Sequence, residues 1–245
     1  MMMMMSSTPT HYQQLNQPLW DDSTQQALSE VCEAARFFEA QGWVPATSSN
    51  FSVRVASHPA SLAISASGLN KGQLTPNDFL WVHPNARLCD AQHEQRRPSA
   101  ETDLHGWVYQ RYPAVQCVLH VHALPSVVFS LMAQQQAPPE QRQAFVTPLS
   151  QLELLKGLAG IETHDLTLPF PCVANSQAMP QLAQQVEDLF NGWQQEHWQT
   201  LPPLAPYGVL LVGHGLYAWG RTVSEARRHV ESLLYLFEVN VRKKV

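Results

Sequence analysis

Apolar residues recur at helical spacing over residues 23–41, where Leu28, Val31, Cys32, Ala35 and Phe38 share one face and Gly42 follows as a C-terminal cap. The pattern then changes to alternation. In GWVPATSSNFSVRV, Phe51, Val53 and Val55 alternate with polar residues, which predicts a half-buried strand. After the turn SHPAS, SLAISASG reads as a second strand and FLWVHP, residues 79–84, as a third. RPSAETDLHGWVYQRYP follows a proline and carries Ser99 as N-cap, predicting a helix to Tyr112. VQCVLHVHALPS continues as a strand, then as a helical stretch through Leu131.

The Gln- and Pro-rich segment 135–150 reads as a loop, after which apolar helical material resumes at LELLKGL. A polar helix is expected over 180–195, and YGVLLVGHGLYAWG reads as two strands around a glycine turn. Thr222 and Glu225 form a T-x-x-E capping box that opens a last helix over 223–241. No repeat or composition break divides this order of elements, which predicts one three-layer α/β/α domain over residues 19–245 behind a polar, mobile tail, residues 1–18.

Composition narrows the function. With 44% apolar and 14% charged residues the chain can bury a large core, and its formal charge of −5 argues against a nucleic-acid or membrane-surface binder. Its start lacks the basic and apolar regions of a secretory signal, and no stretch has the ~18 apolar residues of a membrane span. Cys32, Cys89, Cys117 and Cys172 form no CxxC pair, so reduced thiols in a cytoplasmic protein are expected.

The candidate chemistry lies at strand ends. His120 and His122, at i and i+2 of a strand, point to one face. His214 stands between Gly213 and Gly215 at another strand end. Together they match a three-ligand metal site with an open position. The alternative is an exposed histidine pair and a tight hairpin in which His214 is a passenger. Thr47-Ser48-Ser49-Asn50, Ser65-Ala66-Ser67-Gly68 and Ser99 supply small hydroxyl, amide and glycine groups at turns. Such groups form a phosphate cradle without net positive charge, or serve ordinary turn and cap roles. Glu101 suits the first turn of a helix, and Glu153 reads equally as a solvated helix residue.

Four ordered blocks join these pieces: PATSSNFSVR, ISASGLNKGQLTPNDFLWV, RPSAETDLH followed by VLHVH, and GHGLYAWG. On them the chain resembles the class II aldolase family from about residue 25 to 240. GWVPATSSNFSVR, RPSAETDLH and LELLKG most resemble the branch that dehydrates 5-methylthioribulose 1-phosphate in methionine salvage.

The resemblance implies a central, largely antiparallel sheet. It implies a metal, usually zinc, on His120, His122 and His214, and a phosphate site of Thr47, Ser49, Asn50, Ser67, Gly68 and Ser99. It puts an acid/base carboxylate at Glu101 and a proton donor/acceptor at Glu153, and of the two Glu153 is expected to handle the proton. Ser49 stands where the family commonly has glycine, and Ala100 where the aldolases commonly have serine. The resemblance further implies a homotetramer that takes a small sugar phosphate and no nucleic acid or membrane. The alternatives are a sugar-phosphate aldolase or epimerase on the same scaffold, or a non-catalytic module like the head of adducin.

Overall fold

The computed structural model describes residues 19–89, 95–194 and 200–243. The tail expected over 1–18 lies outside the described residues. Among the described residues, eight strands form one sheet in the order β3-β2-β1-β4-β8-β7-β6-β5. They are β1 Asn50–Arg54, β2 Leu62–Ser65, β3 Phe79–Val82, β4 Cys117–Val121, β5 Ala144–Ser150, β6 Thr167–Ala174, β7 Gly208–Val212 and β8 Gly215–Gly220. All neighbours are antiparallel except β6 and β7, which run parallel. The helices are α1 Asp22–Ala40, α2 Thr102–Arg111, α3 Leu124–Gln136, α4 Met179–Gln194 and α5 Val223–Arg242.

Strand β1 shows how the layers are set. Phe51 packs against Phe38 of α1 with ring centroids 5.9 Å apart, while Ser52, its neighbour, bonds His105 and Tyr109 of α2. Alternate residues of a strand face opposite ways, so α1 and α2 cover opposite faces. The expected half-buried strand is therefore buried on both sides, and its polar residues Asn50 and Ser52 lie 4% and 0% exposed. Helices α1, α3 and α5 pack together on one side, and α2 packs with α4.

Four local expectations change. Segment 135–150 is not all loop, because β5 pairs with β6 over seven registers. Its Pro148, opposite Pro169, fits because β5 is an edge strand, where a missing N–H breaks no inner ladder. LELLKGL forms only a short 3-10 turn, Glu153–Gly157. The N-cap of α2 is Glu101 rather than Ser99, whose Oγ instead accepts from Glu101 N at 3.2 Å. The α2 cap lacks a side-chain bond because the Glu101 carboxylate turns toward the histidines. At the other end of the chain, Thr222 Oγ1 caps α5 by accepting from Glu225 N at 3.0 Å, but Glu225 bonds back to Arg221 N, one residue earlier than a capping box requires.

All four cysteines are free thiols. No described helix is long and apolar enough to cross a membrane.

Candidate metal centre and anion cavity

The site is a row of side chains laid across three strands. Asn50 of β1, His120 of β4 and Tyr217 of β8 are direct cross-strand partners, so all three project from one face. The His120 ring stacks on Tyr217 at 3.9 Å between centroids. His122 lies just past β4, held by its N–H to Trp43 O at 2.9 Å. His214 sits in the two-residue turn between β7 and β8, where Gly213 takes φ +69°. Gly215 permits the close approach, since a Cβ there would lie 2.2 Å from Val121 O and 3.2 Å from His120 Cε1.

The three imidazoles converge, with His122 Nε2 2.8 Å from His120 Nε2 and 3.1 Å from His214 Nε2. Two of the outer nitrogens are occupied: His120 Nδ1 donates to Leu216 O at 3.1 Å, and His214 Nδ1 meets Asn175 Oδ1 at 3.2 Å. Donation on that side leaves Nε2 of both rings as a lone pair facing inward. Burial, reinforced by the neighbouring imidazoles, holds His120 well below the ordinary histidine range and His122 at about 4, so both are neutral at pH 7. Ring nitrogens converging on one point are what a tetrahedral ion needs. Ligand atoms about 2.0–2.1 Å from such an ion lie roughly 3.3 Å apart, close to the spacing seen. The residues fit a divalent metal.

Glu101 closes the cluster, its two oxygens 3.4 Å from His120 Nε2 and 3.1 Å from His214 Nε2. Asn50 Nδ2 donates to Glu101 Oε2 at 2.6 Å and to Ser99 Oγ at 3.1 Å. Burial alone would raise this carboxyl, but His120, His214 and the Asn50 amide hold it well below the usual carboxylate range. Behind Asn50 runs a buried chain. Its Oδ1 lies 2.5 Å from His105 Nε2, His105 Nδ1 lies 2.7 Å from Ser52 Oγ, and Ser52 Oγ lies 2.9 Å from Tyr109 OH.

All six expected phosphate residues, Thr47, Ser49, Asn50, Ser67, Gly68 and Ser99, line one cavity of about 220 Å³, together with Glu101 and His122. Asn50 differs from the other five, since its amide is engaged on both sides and holds Glu101. Ser49 has φ +74°, a left-handed conformation that favours glycine, and its buried Oγ makes no hydrogen bond among the described residues.

Glu153 does not join them. It is 71% exposed and ion-paired with Lys156 at 2.6 Å and His164 at 3.3 Å. The next residue, Leu154, lines a separate groove with Trp43 and Pro125.

The comparisons agree with this geometry. The sequence model described as Class II Aldolase and Adducin N-terminal domain matches residues 29–241. The chain belongs to that family. A methylthioribulose-1-phosphate dehydratase of Methylococcus capsulatus is 37% identical to this class II aldolase family member, over 91% of this chain and 96% of the relative. One of Stenotrophomonas maltophilia (strain K279a) is 42% identical over 82% and 84%. Among solved structures, L-fuculose-1-phosphate aldolase of Thermus thermophilus shares the fold at TM-score 0.61 and 22% identity, covering 89% of this chain and 94% of that one.

Sequence reasoning missed His105, Ser52, Tyr109 and Asn175. A signal existed for two of them: His105 and Tyr109 stand four apart on α2, and so on one helix face.

Proposed function

We propose that the chain dehydrates 5-methylthioribulose 1-phosphate to 2,3-diketo-5-methylthiopentyl 1-phosphate. The observation that carries this reading is its similarity to dehydratases of that name, 37–42% identical over most of both chains. A triad of imidazoles beside an anion cavity also suits a retro-aldol cleavage, so the similarity rather than the geometry selects the reaction.

The reaction removes the carbon-3 proton, expels the carbon-4 hydroxyl as water and leaves an enol that becomes the diketone. His120, His122 and His214 would hold a divalent ion, zinc being the expected one. When bound, it supplies Lewis-acid polarisation of the substrate carbonyl. Thr47, Ser49, Ser67, Gly68 and Ser99 receive the phosphate through hydroxyl and backbone donors.

Glu101, pinned by Asn50 and held ionised, adds negative charge beside the ring nitrogens. The proton work is assigned to Glu153 on the family resemblance, and its carboxylate must swing from Lys156 and His164 to reach the cavity. A homotetrameric, cytoplasmic enzyme of methionine salvage completes the reading, on the family resemblance. The test is to supply the metal-loaded protein with this ketose phosphate and with L-fuculose 1-phosphate. Turnover of the second alone would contradict the reading.

A further inference from the structure

Among the described residues, the cavity that is to receive a phosphate has no lysine or arginine in its wall, and its titratable lining groups are Glu101 and His122. An anion of charge near −2 entering beside a carboxylate needs compensation that this lining does not supply. The nearest buried cation on the loops is Lys71, 1% exposed in the turn that follows Gly68. Its Nζ donates to Thr47 O at 3.1 Å and to Leu69 O at 2.7 Å. Thr47 belongs to the first loop of the cavity, and Leu69 directly follows the second.

Lys71 forms no ion pair among the described residues, and burial lowers its ammonium to about 8, which leaves it charged at pH 7. Buried charges are almost always paired, because the cost of leaving water is otherwise unanswered. An ammonium has three donors, and the two carbonyls use two of them. Ser49 gives a separate sign of a ligand at the same place. Its Oγ is buried on the cavity wall with no hydrogen-bond partner among the described residues, on a backbone held at φ +74°.

We propose that Lys71 is the specificity-determining cation of the cavity: it clasps the two loops from behind and provides the positive charge that selects a phosphorylated ligand over a neutral one. This rests on reading the cavity as the phosphate site. Lys71 acts through the loops and through its field, as a positioning residue.

The test uses the full-length, metal-loaded protein and two substitutions, Lys71→Met and Lys71→Gln, with inorganic phosphate and the dephosphorylated ketose as probes in calorimetry. Affinity for phosphate should fall about tenfold or more, the scale of losing one charge–charge attraction at protein-like screening. Affinity for the dephosphorylated ketose should stay within about twofold. Phosphate affinity within about twofold of wild type would overturn the proposal, and so would a parallel loss of both ligands, which would mark Lys71 as a structural clasp only.

Should neither variant fold, the wild-type protein labelled with ¹⁵N at lysine decides. The Lys71 ζ-nitrogen should shift along the phosphate binding curve, and a stationary signal at saturating phosphate would refute the assignment. None of these arms needs turnover. Loss of phosphate binding in a protein that never dehydrates the ketose phosphate would keep Lys71 and discard the dehydratase reading; the converse result would discard Lys71 alone.

Discussion

Asn50 and Glu101 are locked in one orientation by a proton count that runs back to Tyr109 of α2. A carboxylate only accepts, so the group of Asn50 that lies 2.6 Å from Glu101 Oε2 is its amide nitrogen. Asn50 Oδ1 therefore faces His105 Nε2, which must donate, and His105 Nδ1 accepts from Ser52, which in turn accepts from Tyr109. Burial keeps His105 neutral, with its ionisation lowered to about 4, as this tautomer requires.

His105→Phe should free the Asn50 amide to turn and lower turnover about tenfold, the scale of one buried hydrogen bond left unmade. His105→Gln, which can still donate to Asn50, should recover part of the loss. Steady-state rates for the two variants check this, and equal rates would show that the chain behind Asn50 does not matter.

Removal of the imidazoles should remove the ion. The His120→Ala, His122→Ala double variant is expected to keep its far-ultraviolet circular dichroism while metal content drops from about one ion per chain to a small fraction of that. Elemental analysis of the dialysed protein gives the answer. Full metal content would place the ion elsewhere.

The two carboxylates should separate by readout. Glu153→Gln is expected to lower turnover ~10²–10⁴-fold, the usual contribution of a positioned acid/base group, with metal content unchanged. Glu101→Gln should weaken metal retention as well as rate, since its oxygens lie 3.1 and 3.4 Å from the ring nitrogens of His214 and His120. Substrate deuterated at carbon 3 reports label loss in each. A fully active Glu153→Gln beside an inactive Glu101→Gln would move the proton work to Glu101.

Stability should fall in mild acid because of His229. It is fully buried, its Nδ1 donating to Trp219 O at 2.6 Å and its Nε2 accepting from Ala159 N at 3.1 Å, and burial lowers its ionisation to about 4. Unfolded, the ring titrates near 6.5. Between those values the unfolded chain binds the extra proton, so the stabilisation is complete above about 6.5 and declines as pH falls toward 4, by roughly 3 kcal/mol at most. Urea unfolding from pH 7 to 4 should show a shallower slope for His229→Gln, which can make both bonds without titrating.

Much of this site was legible in the sequence because its ligands sit where strands end. The i, i+2 pair His120 and His122 and the glycine-flanked His214 are local patterns with a local geometric meaning, and the serine-rich loops are turn chemistry. What stayed hidden depends on packing between layers. Ser52 looked like the solvent side of a half-buried strand until α2 covered it. The edge strand Ala144–Ser150 was masked by a proline that only an edge position accommodates. For Glu153 the solvated reading and the catalytic one stayed open side by side, because a carboxylate in a short 3-10 turn looks the same in sequence whether or not it faces a cavity.

The central claim is dehydration with the carbon chain intact. Mass spectrometry of the reaction of metal-loaded protein with 5-methylthioribulose 1-phosphate tests it most directly. The account predicts one product lighter than substrate by one water and still phosphorylated; two carbon fragments with no dehydrated product would contradict it.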